Sequence, residues 1–300
     1  MNIEELEKSR EKVVKKKKIG YGIAAIVSLG FVFINYMFNG VLEFDTVFIT
    51  GFLGVLLTSV LTMKDYREFV KGYKKVVVLE IFKTIFKNIH FDLDRGIPEE
   101  IISNTGMMDT GDIYHSNDYI CAKYKNVSFE FSDVEIEEEH TDSDGDRHRV
   151  TVFKGQWYIF DFNKQFKADL QVCEKGFRNA KLGGLFSFKK FNKVQLEDIE
   201  FNKEFNDFAQ NNLDAFYVLT PNTMEKIKKL NNSVHGKLLF CFIDNKLHVG
   251  LHSGKDLFEP NLYKKINIEQ NHKQAIEEIQ MITNFVDILG LDNDFFRKGV

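Results

Sequence analysis

IGYGIAAIVSLGFVFINYMFNGVLEFDTVFITGFLGVLLTSVLTM, residues 19–63, holds two uncharged apolar runs, Ile19–Phe38 and Thr46–Met63, joined by the seven residues Asn39–Asp45. A helix of about 20 apolar residues crosses the roughly 30 Å of hydrocarbon in a bilayer, and it satisfies its own backbone polar groups where no water can. So short a connector permits only a tight turn. The reading is a transmembrane helical hairpin over 19–63, with spans at 19–38 and 46–63. A cleaved secretory signal is the competing reading of the first run. The run is too long for that, no A-x-A-like site follows, and a second span comes at once.

The flanks orient the hairpin. Lys8, Arg10, Lys12 and Lys15 to Lys18 precede the first span, and Lys64, Arg67, Lys71, Lys74 and Lys75 follow the second. The turn carries only Glu43 and Asp45. Positive charge collects on the cytoplasmic side, so both termini are expected in the cytoplasm and the turn outside. Gly20, Gly22, Gly30, Gly51 and Gly54 offer small surfaces for helix contact. Asn35 lies near the outer end of its span and implies no ion pathway. Residues 1–18 read as a basic cytoplasmic helix, with Glu4/Lys8 and Glu11/Lys15 at i,i+4 spacing.

The formal net charge of -4 conceals an asymmetry. Residues 1–75 hold 12 Lys/Arg against 8 Asp/Glu, which leaves 28 against 36 in the rest of the chain. An acidic domain lacks the electrostatic footprint that nucleic-acid binding requires, so nucleic acid is not an expected partner. Cys121, Cys173 and Cys241 are odd in number, far apart and set in apolar stretches. They read as buried thiols in a reducing compartment.

Residues 64–300 read as one cytoplasmic α+β domain, an antiparallel β-sheet with packed helices. Val78, Phe82, Ile85, Phe86 and Ile89 form one helical stripe continuing the second span, and Gly96-Ile97-Pro98-Glu99-Glu100 restarts a helix with Pro at its first position. Tyr119–Tyr124, Val127–Glu139, Arg149–Phe162 and Phe166–Glu174 then alternate as strands of a meander. Asp144-Gly145 turns the second into the third. Phe129 and Phe131 fall out of phase with Val134 and Ile136, which predicts a bulge near Ser132-Asp133. Val194–Phe201 and Ala215–Leu219 read as strand-like. Thr220-Pro221 caps a helix to Leu230, Lys237–Ile243 and Lys246–Leu251 form a hairpin about Asp244-Asn245, and Ile268–Leu289 is a helix ending at Gly290.

The runs FKGQWYIFDFNKQFKADLQV (Phe153–Val172), LEDIEFNKEF (Leu196–Phe205) and YVLTPNTMEKI (Tyr217–Ile227) resemble a bacterial two-span membrane protein family catalogued as domain of unknown function 3137. The resemblance covers roughly residues 1–260. It implies the same architecture and a multi-pass protein of the bacterial cytoplasmic (inner) membrane. It carries no reaction and no catalytic residues. It also points to LemA-like membrane proteins as gene neighbours, and so to another membrane protein as partner besides the lipid bilayer.

The densest polar stretch is EIEEEHTDSDGDRHRV, Glu135–Val150. As an EF-hand loop from Asp142 it places Arg147 where glycine is needed and Phe153 where the bidentate glutamate belongs, so the motif fails. A weaker arrangement has His140 and His148 meeting across the hairpin with Glu139 to hold a divalent metal, against a solvated acidic hairpin tip. No G-x-S-x-G, H-E-x-x-H, Walker A or Rossmann glycine pattern occurs, and no cofactor is implied. His248 and His252, four apart on a strand end, read as ordinary polar residues. The segment Gly176–Lys193 mixes aromatic and basic side chains, and its Arg178, Lys181, Phe186, Phe188, Lys189 and Lys190 are candidates for contact with the inner leaflet or a partner.

The function expected from these residues is a membrane-anchored, cytoplasm-facing binding, scaffold or accessory protein. The alternative is a membrane-tethered enzyme with a site at the loops Ser103–Asp118 and His252–Pro260.

Overall fold

The computed structural model describes residues 2–40, 44–108, 110–161, 169–177 and 191–292. They divide into two compact units, Met1–Ile81 with Phe258–Ala275, and Phe82–Leu257 with Ile276–Val300.

The first unit is built on two long helices. α1 (Ile3–Asn39) begins with a capping box, in which the Asn2 side chain accepts the Glu5 N–H and the Glu5 carboxylate accepts the Asn2 N–H. α2 (Phe44–Tyr73) passes through a π-helical turn, Lys74–Val78, into α3 (Leu79–Ile85) without a break. Each long helix holds a stretch apolar enough to cross a membrane, and the chain is a membrane protein with two candidate spans. Large apolar side chains such as Ile26, Phe33 and Leu61 point outward and are more than half exposed. The seam between the helices is small instead. A Cβ at Gly54 would lie 2.4 Å from that of Ala24, and one at Gly20 would lie 2.4 Å from the Thr58 methyl. Close approach therefore uses Gly20 and Gly54, whereas Gly22 and Gly30 meet nothing within 4 Å.

Beyond the spans, Lys12 and Lys16 bracket Asp65 at 2.9 and 2.6 Å. The segment Phe258–Ala275 is tied to the same helices. Arg10 pairs with Glu7 at 2.7 Å and donates to the Leu262 carbonyl at 2.9 Å, while Glu7 accepts the Ile266 N–H at 3.1 Å. The Arg10 guanidinium holds the Glu7 carboxyl below the usual carboxylate range. Asn271 donates to the Tyr73 hydroxyl at 3.1 Å, and the buried Lys74 pairs with Glu259.

The second unit is a nine-stranded antiparallel sheet of order β1-β2-β3-β4-β9-β8-β5-β7-β6. In chain order its elements are β1 (Lys87–Asp92), α4 (Glu99–Ser103), β2 (Ile113–Tyr124), β3 (Val127–Thr141), β4 (Arg147–Asp161), β5 (Leu170–Glu174), β6 (Asn192–Val194), α5 (Ile199–Glu204), β7 (Phe205–Ala209), α6 (Asn212–Val218), α7 (Pro221–Asn231), β8 (Lys237–Ile243), β9 (Lys246–His252) and α8 (Ile268–Leu289). The fold is α+β, as its sequence pattern predicts.

Both faces of this sheet are buried, and that explains where the pattern misleads. On one face Phe86 meets Phe129 at 5.0 Å between ring centroids, and Phe285 of α8 meets Tyr158 at 5.0 Å. On the other, Ile97, Ile102, Met107 and Met108 cover Val134, Ile136, Phe153 and Trp157. Phe129 and Phe131 thus serve one core while Val134 and Ile136 serve the other. Pairing with β4 runs unbroken from Phe129 to Ile136. The expected bulge at Ser132-Asp133 is absent from that ladder, and the irregularity lies across from it, in β2 between Asn117 and Ile120.

Other expectations shift for local reasons. The helical stripe ends at Ile85, and Ile89 lies on β1. Pro98 is the N-cap of α4 and not its first residue. β5 does not neighbour β4, because β9 and β8 stand between them. The strand-like Ile199–Phe201 is helical because the Asp198 side chain caps Phe201 N–H, and Ala215–Val218 is helical because Asn211 caps Leu213 N–H. The Thr220-Pro221 start, the Asp244-Asn245 hairpin and the Gly290 helix stop stand as read.

Two glycines explain the F-K-G-Q-W stretch of β4. Gly155 has φ 154°, and a Cβ there would lie 2.0 Å from the Leu251 carbonyl oxygen. Gly250, paired with Trp157, leaves room for the indole, which a Cβ would approach to 2.9 Å.

Candidate functional site

Strand register sets out which polar groups the sheet brings together. One cross-strand row reads His90, Cys121, Glu130, Ile159, His248, Cys241, Gln171, Phe208, Lys193 from β1 to β6. Several of its polar side chains are hydrogen-bonded, while the Gln171 amide oxygen has no partner among the described residues. Glu130 accepts the Tyr119 hydroxyl at 2.9 Å and faces Lys246 at 3.4 Å. The indole N–H of Trp157 donates to His248 Nδ1 at 3.3 Å, and the Gln171 amide donates to the Thr105 carbonyl at 2.7 Å. These contacts tie the loop after α4 to the sheet. His248 and His252 play structural roles: His252 Nδ1 accepts the Lys154 N–H at 3.0 Å, and burial pushes its pKa down.

The adjacent row, on the opposite face, reads Phe91, Ile120, Phe131, Tyr158, Val249, Phe240, Val172, Asp207, Val194. It is apolar apart from the Tyr158 hydroxyl and one carboxylic acid. Asp207 is 1% exposed, and among the described residues neither of its oxygens has a hydrogen-bond partner. Burial pushes its pKa up to about 7, against the opposing pull of Lys193 and Lys175. Nothing in the surrounding sequence announces this acid. It becomes visible only when register sets it between Val172 and Val194.

The loops expected to house an alternative enzyme site make hydrogen bonds within their own unit. Thr110 donates to Glu99 at 2.6 Å, Ser253 donates to the Gln156 amide oxygen at 2.9 Å, and the Leu257 N–H donates to Asp133 at 3.2 Å. An open groove along α7 is lined by Asn222, Glu225, Lys226, Lys228, Lys229 and Asn232. Two of its lysines are already engaged, Lys226 with the Leu289 carbonyl and Lys228 with Asp198.

The hairpin histidines do meet. His140 and His148 are register partners with ring centroids 5.7 Å apart. Glu139, however, alternates to the other side of the ribbon and pairs with Arg149 at 3.2 Å, so the expected triad of His140, His148 and Glu139 does not converge. Among the described residues no three His, Cys, Asp or Glu side chains are grouped to hold a metal. All three cysteines are free thiols, with Cys173 and Cys241 buried and Cys121 half-buried. Arg178, Lys181, Phe186, Phe188, Lys189 and Lys190 lie outside the described residues.

Sequence reasoning missed one surface. On α6, Leu213, Phe216 and Tyr217 stand at i, i+3 and i+4 and are 76%, 47% and 63% exposed, while Ala215 and Leu219 are buried. Ile199 of α5 is 70% exposed. The Asn211 cap was the signal that could have found this helix and its outward stripe.

Residues 151–291 match the model of a family described as protein of unknown function (DUF3137). The match takes in the F-K-G strand and the L-T-P helix start, and it extends to the end of α8 while leaving the hairpin outside. No curated protein matches the chain. Among solved structures, the crystal structure of the mycobacterial trehalose monomycolate transport factor A, TtfA, aligns at 9% identity over 67% of this chain and 88% of that one, with a TM-score of 0.39.

Proposed function

For a chain that carries the DUF3137 region over residues 151–291 beside two helices able to cross a membrane, we propose a role in binding: a membrane-anchored accessory or scaffold protein whose sheet domain docks another membrane protein. The observation that supports it is the α6 stripe. An outward Leu-Phe-Tyr face on a helix whose other side is buried exposes apolar area that a partner would cover. The reading places both termini on the cytoplasmic side of a bacterial inner membrane, as the lysine-rich flanks and a turn without Lys or Arg favour.

A photo-crosslinking residue at Phe216 of the full chain, in its own membrane, tests the docking. The expected result is one discrete protein adduct that disappears in the Leu213→Ser/Tyr217→Ser double variant. Adducts to lipid alone, or an adduct indifferent to the double variant, would sink the protein-partner reading. The basic and aromatic side chains Arg178, Lys181, Phe186, Phe188, Lys189 and Lys190 favour a second contact, with anionic lipid. Liposome flotation of the detergent-free domain, compared with a Phe186→Ser/Phe188→Ser variant, decides that one.

A further inference from the structure

A carboxyl group in an apolar row needs a reason, and the Asp207 position supplies several constraints on what the reason can be. Its cross-strand neighbours are Val172 on β5 and Val194 on β6. It is fully buried, and neither oxygen is hydrogen-bonded among the described residues. An ionised carboxylate in that setting would forgo hydration with no compensating donor, whereas the neutral acid gives up far less. The strand outside it, β6, is only three residues long and closes the sheet through three register pairs, Asn192 with Ala209, Lys193 with Phe208 and Val194 with Asp207. The residue that must stay neutral therefore sits under the weakest edge of the sheet.

The charges around it do not neutralise it in place. Lys193 on β6 and Lys175 at the end of β5 favour the ionised form, and both are exposed on their own account. β5 contributes the buried Cys173 thiol, whose pKa burial pushes up to about 12, with the nearby Asp207 adding to it. On α5, Glu200 and Lys203 pair with each other at 2.7 Å, and Asp198 before it pairs with Lys228 at 3.0 Å. Glu204 gives its backbone carbonyl to Lys175 N–H, and Asp214 of α6 lies half-buried in the first turn of its helix. None of these side chains bonds to the Asp207 carboxyl.

We propose that Asp207 is a proton-controlled latch on the β7–β6 edge. With its proton on, the acid packs as an apolar side chain and β6 stays paired. When the proton leaves to water, the carboxylate must reach solvent or the lysines, and it does so by parting its register partner Val194 from β7. The edge then opens while the other eight strands, from β1 to β7 in sheet order, keep their pairing. The latch stands whether or not the α6 stripe binds anything.

Hydrogen exchange of the full chain in nanodiscs, read by mass spectrometry and corrected for the intrinsic pH dependence of exchange, tests this. In the wild type, protection of peptides covering 191–210 should fall about tenfold per pH unit between pH 5 and pH 7 and level off above. Peptides covering 237–252 serve as the internal control and should stay flat. Asp207→Asn and Asp207→Val should each abolish the slope, and the valine variant, which completes the apolar row, should also keep high protection at pH 8. A slope retained in both variants, or no slope in a wild type whose β8–β9 peptides are fully protected, overturns the proposal. Should the asparagine variant fail to fold, the valine variant and the wild-type profile still decide between these outcomes.

Discussion

Two neighbouring rows cross the same nine strands on opposite faces, and they treat polarity in opposite ways. The row from His90 to Lys193 admits histidine, thiol, carboxylate and amide, and each of three polar side chains reaches a partner: Tyr119 for Glu130, Trp157 for His248, and Thr105 for the Gln171 amide N–H, although the Gln171 amide oxygen has none among the described residues. The row from Phe91 to Val194 admits one acid, Asp207, and gives it none among the described residues. A buried polar group costs little when its hydrogen bonds are made and much when they are not. The contrast separates polar residues that serve the architecture from one that the architecture does not explain.

The comparison breaks most severely where the apolar row is emptied. Phe131→Ala removes a side chain with 0% exposure from the middle of that row. It should cost about 3–5 kcal/mol in urea unfolding of the solubilised protein. Next comes the acid. Its folded pKa of about 7 stands above the ordinary 3.8, so the folded state holds a proton that the unfolded chain has already lost. Stability is then full below about pH 4, falls as pH rises toward 7 and is flat beyond, a loss of roughly 4 kcal/mol at most. Asp207→Val should leave the unfolding midpoint unchanged at pH 4 and raise it at pH 8. Equal midpoints at pH 8 would show that the carboxylate has found a partner.

Smaller effects sharpen the other row. Tyr119→Phe deletes one of the two partners of Glu130 and should cost about 1 kcal/mol, visible as a shift in midpoint without a change in slope. His90→Ala, at the exposed end of the same row, should stay within about 0.5 kcal/mol of the wild type.

How much of this was legible beforehand depended on whether local chemistry or long-range pairing decided the outcome. The spans, the Thr220-Pro221 cap, the two hairpins and the Gly290 stop are local, and each is written in a few adjacent residues. The sheet order is not. Nothing near Phe166–Glu174 says that β8 and β9, some 70 residues later in the chain, will stand between β4 and β5. Burial of both faces also erases the alternation that tells one side of a strand from the other, so Phe129, Phe131, Val134 and Ile136 look like a bulge when they are two cores. α5 and α6 were misread because caps at Asp198 and Asn211 outweighed the aromatic and β-branched residues that follow them. The metal reading of the acidic hairpin paired His140 with His148 correctly and failed at Glu139, where the strand period of two carries an adjacent residue to the other face. Asp207 was invisible because a lone aspartate in NKEFNDFAQ has no signature until its neighbours across the sheet are known.

The ties of Glu7 to Ile266 and of Arg10 to Leu262 also impose an order on biosynthesis. The two residues of the first tie are 259 positions apart. At ordinary elongation rates the second is made on the order of tens of seconds after the first. Both candidate spans have left the ribosome and can enter the bilayer well before the segment that grips their base exists. The helical pair must therefore hold itself together in the interval, through the close Gly20–Thr58 and Gly54–Ala24 seam and the Lys12 and Lys16 pairs with Asp65, and a nascent chain stalled before residue 258 would carry an inserted hairpin with an unfinished foot.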